Sequence, residues 1–99
     1  MFIKVYRLTC NEGFAEQMFE HYDTVVVPMV HAAANHSAET FAHQFIQTDD
    51  DKWMLIANYK SADAAEAGLP LVKEIVQPMA EKFGMTIEPI GAGEVVKAA

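Results

Sequence analysis

Two runs of alternating residues, parted by three consecutive aspartates, constrain this chain more than any other stretch. Phe41, His43 and Phe45 alternate with Ala42, Gln44 and Ile46 ahead of Asp49-Asp50-Asp51, and Trp53 to Lys60 follows, rich in aromatic and branched residues. Alternation with a period of two marks strands, and clustered aspartates form turns. Glu39 to Thr48 and Trp53 to Lys60 therefore predict a β-hairpin. An isolated hairpin is marginal in water and needs a third strand or a helix to cover one face.

The flanking sequence supplies both. Phe2 to Thr9 alternates, with Phe2, Lys4, Tyr6 and Leu8 on one face and Ile3, Val5 and Arg7 on the other. Asn11-Glu12-Gly13 then gives a turn and a capping residue, and Phe14, Met18, Tyr22, Val25 and Met29 recur at helical spacing. Pro28 kinks or restarts that helix, because Val27 before it is pushed away from α geometry, and His31 to Ser37 reads as its frayed end and a loop. Beyond the hairpin, Ser61 is placed as an N-cap with Asp63 and Glu66 in the first turn. The second helix breaks at Gly68-Leu69-Pro70 and restarts with Pro70 in its first turn. Leu69, Val72, Val76, Met79 and Phe83 make its apolar stripe. Gly84 suits a left-handed C-terminal stop, and Met85 to Ile90 forms a last strand before a Gly- and Ala-containing tail. Strand, helix, strand, strand, helix, strand is the split βαβ order of an α+β, ferredoxin-like fold, a four-stranded antiparallel sheet with two helices on one face. Residues 1–99 form one such domain. The uncovered face carries Ile3 and Val5, so a second copy is expected to cover it.

Composition removes several classes of function. Fourteen acids against seven lysines and arginines give a net charge of −7 with no basic cluster, which repels a phosphate backbone and argues against nucleic acid. The single Cys10 excludes an internal disulfide and any multi-thiolate metal site, and it points to a reducing compartment. Val25 to Val30 is far short of the roughly 20 residues a membrane-spanning helix needs, and Met1 to Leu8 interleaves charge with apolar residues unlike a signal peptide. The expectation is a soluble, cytoplasmic protein.

Tyr6-Arg7-Leu8 with Gly13 and an acidic start to the first helix resembles the antibiotic biosynthesis monooxygenase-like superfamily of dimeric α+β barrels. So do Asn58-Tyr59-Lys60-Ser61 ahead of an alanine-rich helix start, and the broken second helix leading through Pro78 and Gly84 to Thr86-Ile87-Glu88-Pro89. The resemblance spans nearly the whole chain. It implies a homodimer and a small apolar cavity for an aromatic or quinol molecule, with oxygenation that uses no metal, flavin or haem. It equally accommodates a non-catalytic small-molecule-binding or stress-response dimer, or an isomerase, on the same scaffold. The haem-degrading branch fits poorly. Tyr6 stands where that branch has asparagine, its tryptophan falls near Gly68, and its axial histidine falls in a helix without histidine.

Five residues carry the expected chemistry. His43, between Phe41 and Phe45, reads either as a core histidine with one hydrogen bond or as a general base in an aromatic pocket. Asn58, a polar amide in an apolar strand, needs a partner if buried and is paired with His43 as the catalytic candidate. Tyr6, Trp53 and Tyr59 are the ligand-binding candidates, with core packing as the alternative for the aromatic pair on the third strand. The turn decides which of these meet. An odd-length loop opposes His43 to Ala57 and Gln47 to Trp53, whereas an even one opposes His43 to Asn58. No metal site is expected. The aspartates lack the alternation, glycine and closing glutamate of a calcium loop, and Glu39 and His43 lie about 13 Å apart along an extended strand.

Overall fold

The computed structural model describes residues 1–34 and 42–97. Strands β1 (Phe2–Thr9), β2 (Ala42–Asp49), β3 (Lys52–Tyr59) and β4 (Thr86–Glu94) form one antiparallel sheet in the order β2-β3-β1-β4. Helices α1 (Ala15–His21), α2 (Val27–Ala34), α3 (Ala62–Ala67) and α4 (Leu69–Phe83) connect them, and the helical layer covers one face of the sheet. This is the ferredoxin-like α+β arrangement expected from the order of elements. Phe41, His36 and Glu39 lie outside the described residues.

The hairpin resolves the choice of register in an unexpected way. Asp50 and Asp51 form a two-residue turn, yet Thr48 bulges out of the ladder between Gln47 and Asp49. A two-residue turn plus one bulged residue gives the odd register, so His43 opposes Ala57 and Gln47 opposes Trp53. No non-glycine residue here takes positive φ, so the turn lacks the I′ geometry that matches strand twist, and the bulge takes up the difference. The Asp49 carboxylate accepts the Asp50 N–H at 2.8 Å, and the Asp51 carbonyl accepts the Cys10 N–H at 3.1 Å. The aspartates close a hairpin and dock it to the end of β1. Burial and the Asp51 charge both push the Cys10 thiol upward, which keeps it a thiol rather than a reactive thiolate.

Between α1 and α2 the chain makes a π-helical turn, Tyr22–Val26, in which the Val27 N–H reaches back to the Tyr22 carbonyl. The turn falls just ahead of Pro28, which has no N–H to continue the ladder. The extra residue rotates the apolar stripe by one position. Val26, not the expected Val25, is buried; Val25 is 42% exposed. The second helical segment follows expectation more closely. Ser61 Oγ accepts the Ala64 N–H at 3.1 Å, α3 and α4 part at Gly68, and Gly84 ends α4 at φ 61°. A Cβ at Gly84 would collide with the Asn11 carboxamide.

β4 is longer than the expected last strand. It runs on through Gly91, Ala92 and Gly93, with Ile90 bulging between Pro89 and Gly91 as the ladder passes from Tyr6 to Val5. These residues lack an apolar alternation because the sheet asks them only for backbone pairing at an edge, where proline and a bulge are tolerated. The core lies between sheet and helices and centres on Leu8, Met18, Val26, Trp53 and Met79.

Candidate active site

Cross-strand pairing arranges the helix-facing side of the sheet in rows. One row reads His43, Ala57, Lys4, Ala92; the next reads Phe45, Leu55, Tyr6, Pro89; a third reads Gln47, Trp53, Leu8, Ile87. Side chains in a strand alternate faces, so Asn58, opposite Ile3 and Ala42, stands on the other face of the sheet from His43.

Parts of all three rows, from His43 and Ala57 through Leu55 and Tyr6 to Leu8 and Ile87, line a cavity of about 50 Å³ that α4 covers with Val72, Val76 and Met79 and the π-helical turn walls with Tyr22 and Val26. His43, Tyr6 and Tyr59 line it; Trp53 and Asn58 do not. Trp53 is fully buried in the third row, edge-on to Phe19 with ring centres 5.2 Å apart, and its indole N–H has no hydrogen-bond partner among the described residues. Its place is in the core beneath α1.

The cavity's polar centre is a contact absent from the sequence-derived set. Tyr22 Oη lies 3.0 Å from His43 Nδ1, with phenol or ring N–H as donor according to the tautomer. The Tyr22 ring also stands edge-on to Phe45 at 4.4 Å. Burial holds the His43 pKa below the usual histidine value, so the imidazole is neutral at about pH 7. Burial, with the nearby Asp23 charge, pushes the Tyr22 phenol up to about 12. Burial and the neighbouring Tyr6 do the same for Tyr59, also to about 12. Near neutrality the site is therefore uncharged, with one acceptor-capable imidazole among phenols in an apolar shell. The helical spacing of Tyr22 fits a packing role. Its place six residues ahead of Pro28, where α-helical bonding must change, is the one local signal of a special position, and π-turns concentrate at functional sites.

A groove of about 490 Å³ adjoins the cavity at the β4 edge and shares Tyr6, Val72 and Ile87 with it. Ligand sites usually occupy several hundred cubic ångströms, so the groove offers the room that the smaller cavity lacks. Among the described residues no three His, Cys, Asp or Glu side chains are grouped to hold a metal ion, and no helix is long and apolar enough to cross a membrane.

Comparison with solved structures places this geometry. The chain matches a dimeric ferredoxin-like protein from an uncultured marine organism with a TM-score of 0.78 over 99% of its own length and 96% of that chain, at 16% identity. It matches a Nitrosomonas europaea protein named for antibiotic biosynthesis monooxygenases with a TM-score of 0.69, over 98% and 100% of the two chains, at 14% identity. The chain has the ferredoxin-like fold of these proteins. SnoaB, a cofactor-independent oxygenase from Streptomyces nogalater, shares it at a TM-score of 0.61 and 18% identity, over 98% of this chain and 94% of SnoaB. No protein-family model matches the chain, and no curated protein matches it in sequence. Identities this low speak to fold, and function has to be argued from the site.

Proposed function

We propose that this protein is a cofactor-independent monooxygenase for a small aromatic or quinol substrate, working as a cytoplasmic homodimer. One observation carries the reading: a half-buried imidazole, neutral near pH 7, bonded to a phenol in the wall of an apolar cavity. Oxygenation without a cofactor starts by turning a phenol into an electron-rich phenolate. That step needs a base which is unprotonated near neutrality and shielded from water. His43, oriented by its bond to Tyr22 Oη, is the base that takes the substrate's proton. The phenolate then reduces oxygen, and carbon–oxygen bond formation at the ring CH para to its oxygen, with the proton returned by His43, gives a hydroperoxide. Loss of water leaves a quinone carbonyl, so one oxygen atom enters the product and the other departs as water, every electron coming from the substrate. Tyr6 and Tyr59, held protonated, supply hydrogen bonds that orient the ring.

Asn58 has no part in this cavity in a single chain. It lies instead on the bare sheet face beside Ile3, Val5 and Ile56, which are half-buried, and Ile46, which is 45% exposed. That apolar face supports the homodimer reading, since a patch of this kind on a monomer calls for a partner. Oxygen uptake by the purified protein with anthrone or quinol substrates tests the enzyme reading. Uptake matched to product supports it, whereas tight binding of the same compounds without turnover assigns the fold here to ligand binding.

A further inference from the structure

Lys4 is out of place for a surface lysine. It sits on the helix-facing side of the sheet, half-buried, between two alanines: Ala57 on β3 and Ala92 on β4. A lysine in such a position ordinarily carries its amine out to water or to a carboxylate. The ion pairs among the described residues join the Met1 amine to Glu94 and Arg7 to Glu88, and neither involves Lys4. Its amine instead hangs 5.9 Å from the centre of the Tyr59 ring, at the outer limit of a cation–π contact. There it lines the groove that leads to the cavity.

The row geometry ties this cation to the base. His43, Ala57 and Lys4 are successive partners across three strands, so the Lys4 and His43 backbones lie two strand spacings apart, about 10 Å. Ala57 lies between them in the row, buried in one cluster with Tyr59 and Ala65, and the cavity that His43 lines meets the groove that Lys4 lines at Tyr6, Val72 and Ile87. A flat ring system lying along that junction has His43 toward one end and Lys4 toward the other. The remaining groove wall is apolar, built from Leu69, Val72, Ile87 and Pro89, and a charge in such surroundings is screened less than in open water.

We propose that this site selects an anionic aromatic molecule, with the Lys4 ammonium binding its carboxylate-type group and the ring's hydroxyl turned toward His43. The inference deepens the reading of the cavity as a ligand site and rests on it. Lys4 is the specificity-determining residue, and His43 and Tyr22 are independent of it. In a chain carrying fourteen acids, a lone ammonium at the groove also offsets the unfavourable field that an anion meets on approach.

Calorimetric titration with a matched pair of probes, a hydroxynaphthoate and the naphthol of the same ring, tests this at low salt and neutral pH. The wild-type chain is expected to bind the hydroxynaphthoate about tenfold or more tightly than the naphthol. Lys4→Met is expected to abolish that preference while leaving naphthol affinity unchanged, and Lys4→Arg to keep most of it. Lys4→Gln provides a second uncharged variant, and circular dichroism checks that each is folded. Equal wild-type affinities, or a preference that survives in both Lys4→Met and Lys4→Gln, overturn the role of Lys4 and leave the cavity as a ligand site. Binding of neither probe overturns that underlying reading and the inference with it.

Discussion

Replacing Tyr22 with phenylalanine removes one atom from the centre of the site and little else. The ring keeps its 4.4 Å edge contact with Phe45, so the loss isolates the 3.0 Å bond to His43 Nδ1. A hydrogen bond contributes about 0.5–1.5 kcal/mol net to stability. Tyr22→Phe should accordingly destabilise the fold by about 0.5–1.5 kcal/mol. His43→Phe alone should also cost stability, and the double variant should cost about 0.5–1.5 kcal/mol less than the sum of the two. The phenol does not ionise below about pH 12, so the effect should hold across the neutral range. Urea titration followed by tryptophan fluorescence suits the measurement, because Trp53 is the only tryptophan and is fully buried. With a slope of roughly 1–3 kcal/mol per molar urea, the midpoint should fall by on the order of 0.5 M. A self-associating chain gains stability by mass action, so all four proteins are compared at one protomer concentration. Costs that add to within about 0.3 kcal/mol would refute the reasoning, since uncoupled sites behave in that way.

Three further outcomes follow from other parts of the structure. Tyr59 is almost wholly buried and its phenol is pushed up to about 12. Its folded pKa lies above the unfolded value, so this stability is intact below about pH 10 and is lost as pH rises toward 12, by about 3 kcal/mol in all; Tyr59→Phe should flatten that limb in alkaline denaturation scans. Gly84→Ala puts a Cβ on a residue at φ 61° and against Asn11; the left-handed backbone alone costs about 1–2 kcal/mol, and thermal melts should show a drop of at least several degrees. Val5→Glu puts a charge in the middle of the bare sheet face and should shift the sedimentation coefficient from dimer to monomer, with the isolated fold retained by circular dichroism.

Most of the fold was legible because its elements obey simple periods. Phe2 to Thr9 alternates along its whole length, Ser61 and Gly84 bracket the second helical segment, and the two helices and four strands fall in one admissible order. The parts that were not legible share a physical cause. Hairpin register depends on whether Thr48 bulges, a choice set by strand twist against turn geometry and not by residue type. The end of β4 is invisible because Gly91, Ala92 and Gly93 contribute backbone and little side chain. Within the site, Tyr6, His43 and Tyr59 share the cavity because they fall on one face in the odd register, and the same register sends Asn58 to the other face. Trp53 shares their face but is packed edge-on against Phe19 of α1, away from the cavity. Tyr22 had the spacing of a packing residue, and only the π-helical turn ahead of Pro28 turns it onto His43.

The proposed chemistry is tested most directly by the oxygen-uptake rate of His43→Gln against wild type, on a substrate that the wild-type protein oxidises. General-base catalysis contributes about 10²–10⁴-fold, so kcat should fall by that factor with KM little changed. The wild-type acid limb, centred below the usual histidine pKa because burial disfavours the charged ring, should disappear. A His43→Gln rate within about threefold of wild type, with the acid limb intact, would contradict a base at this position.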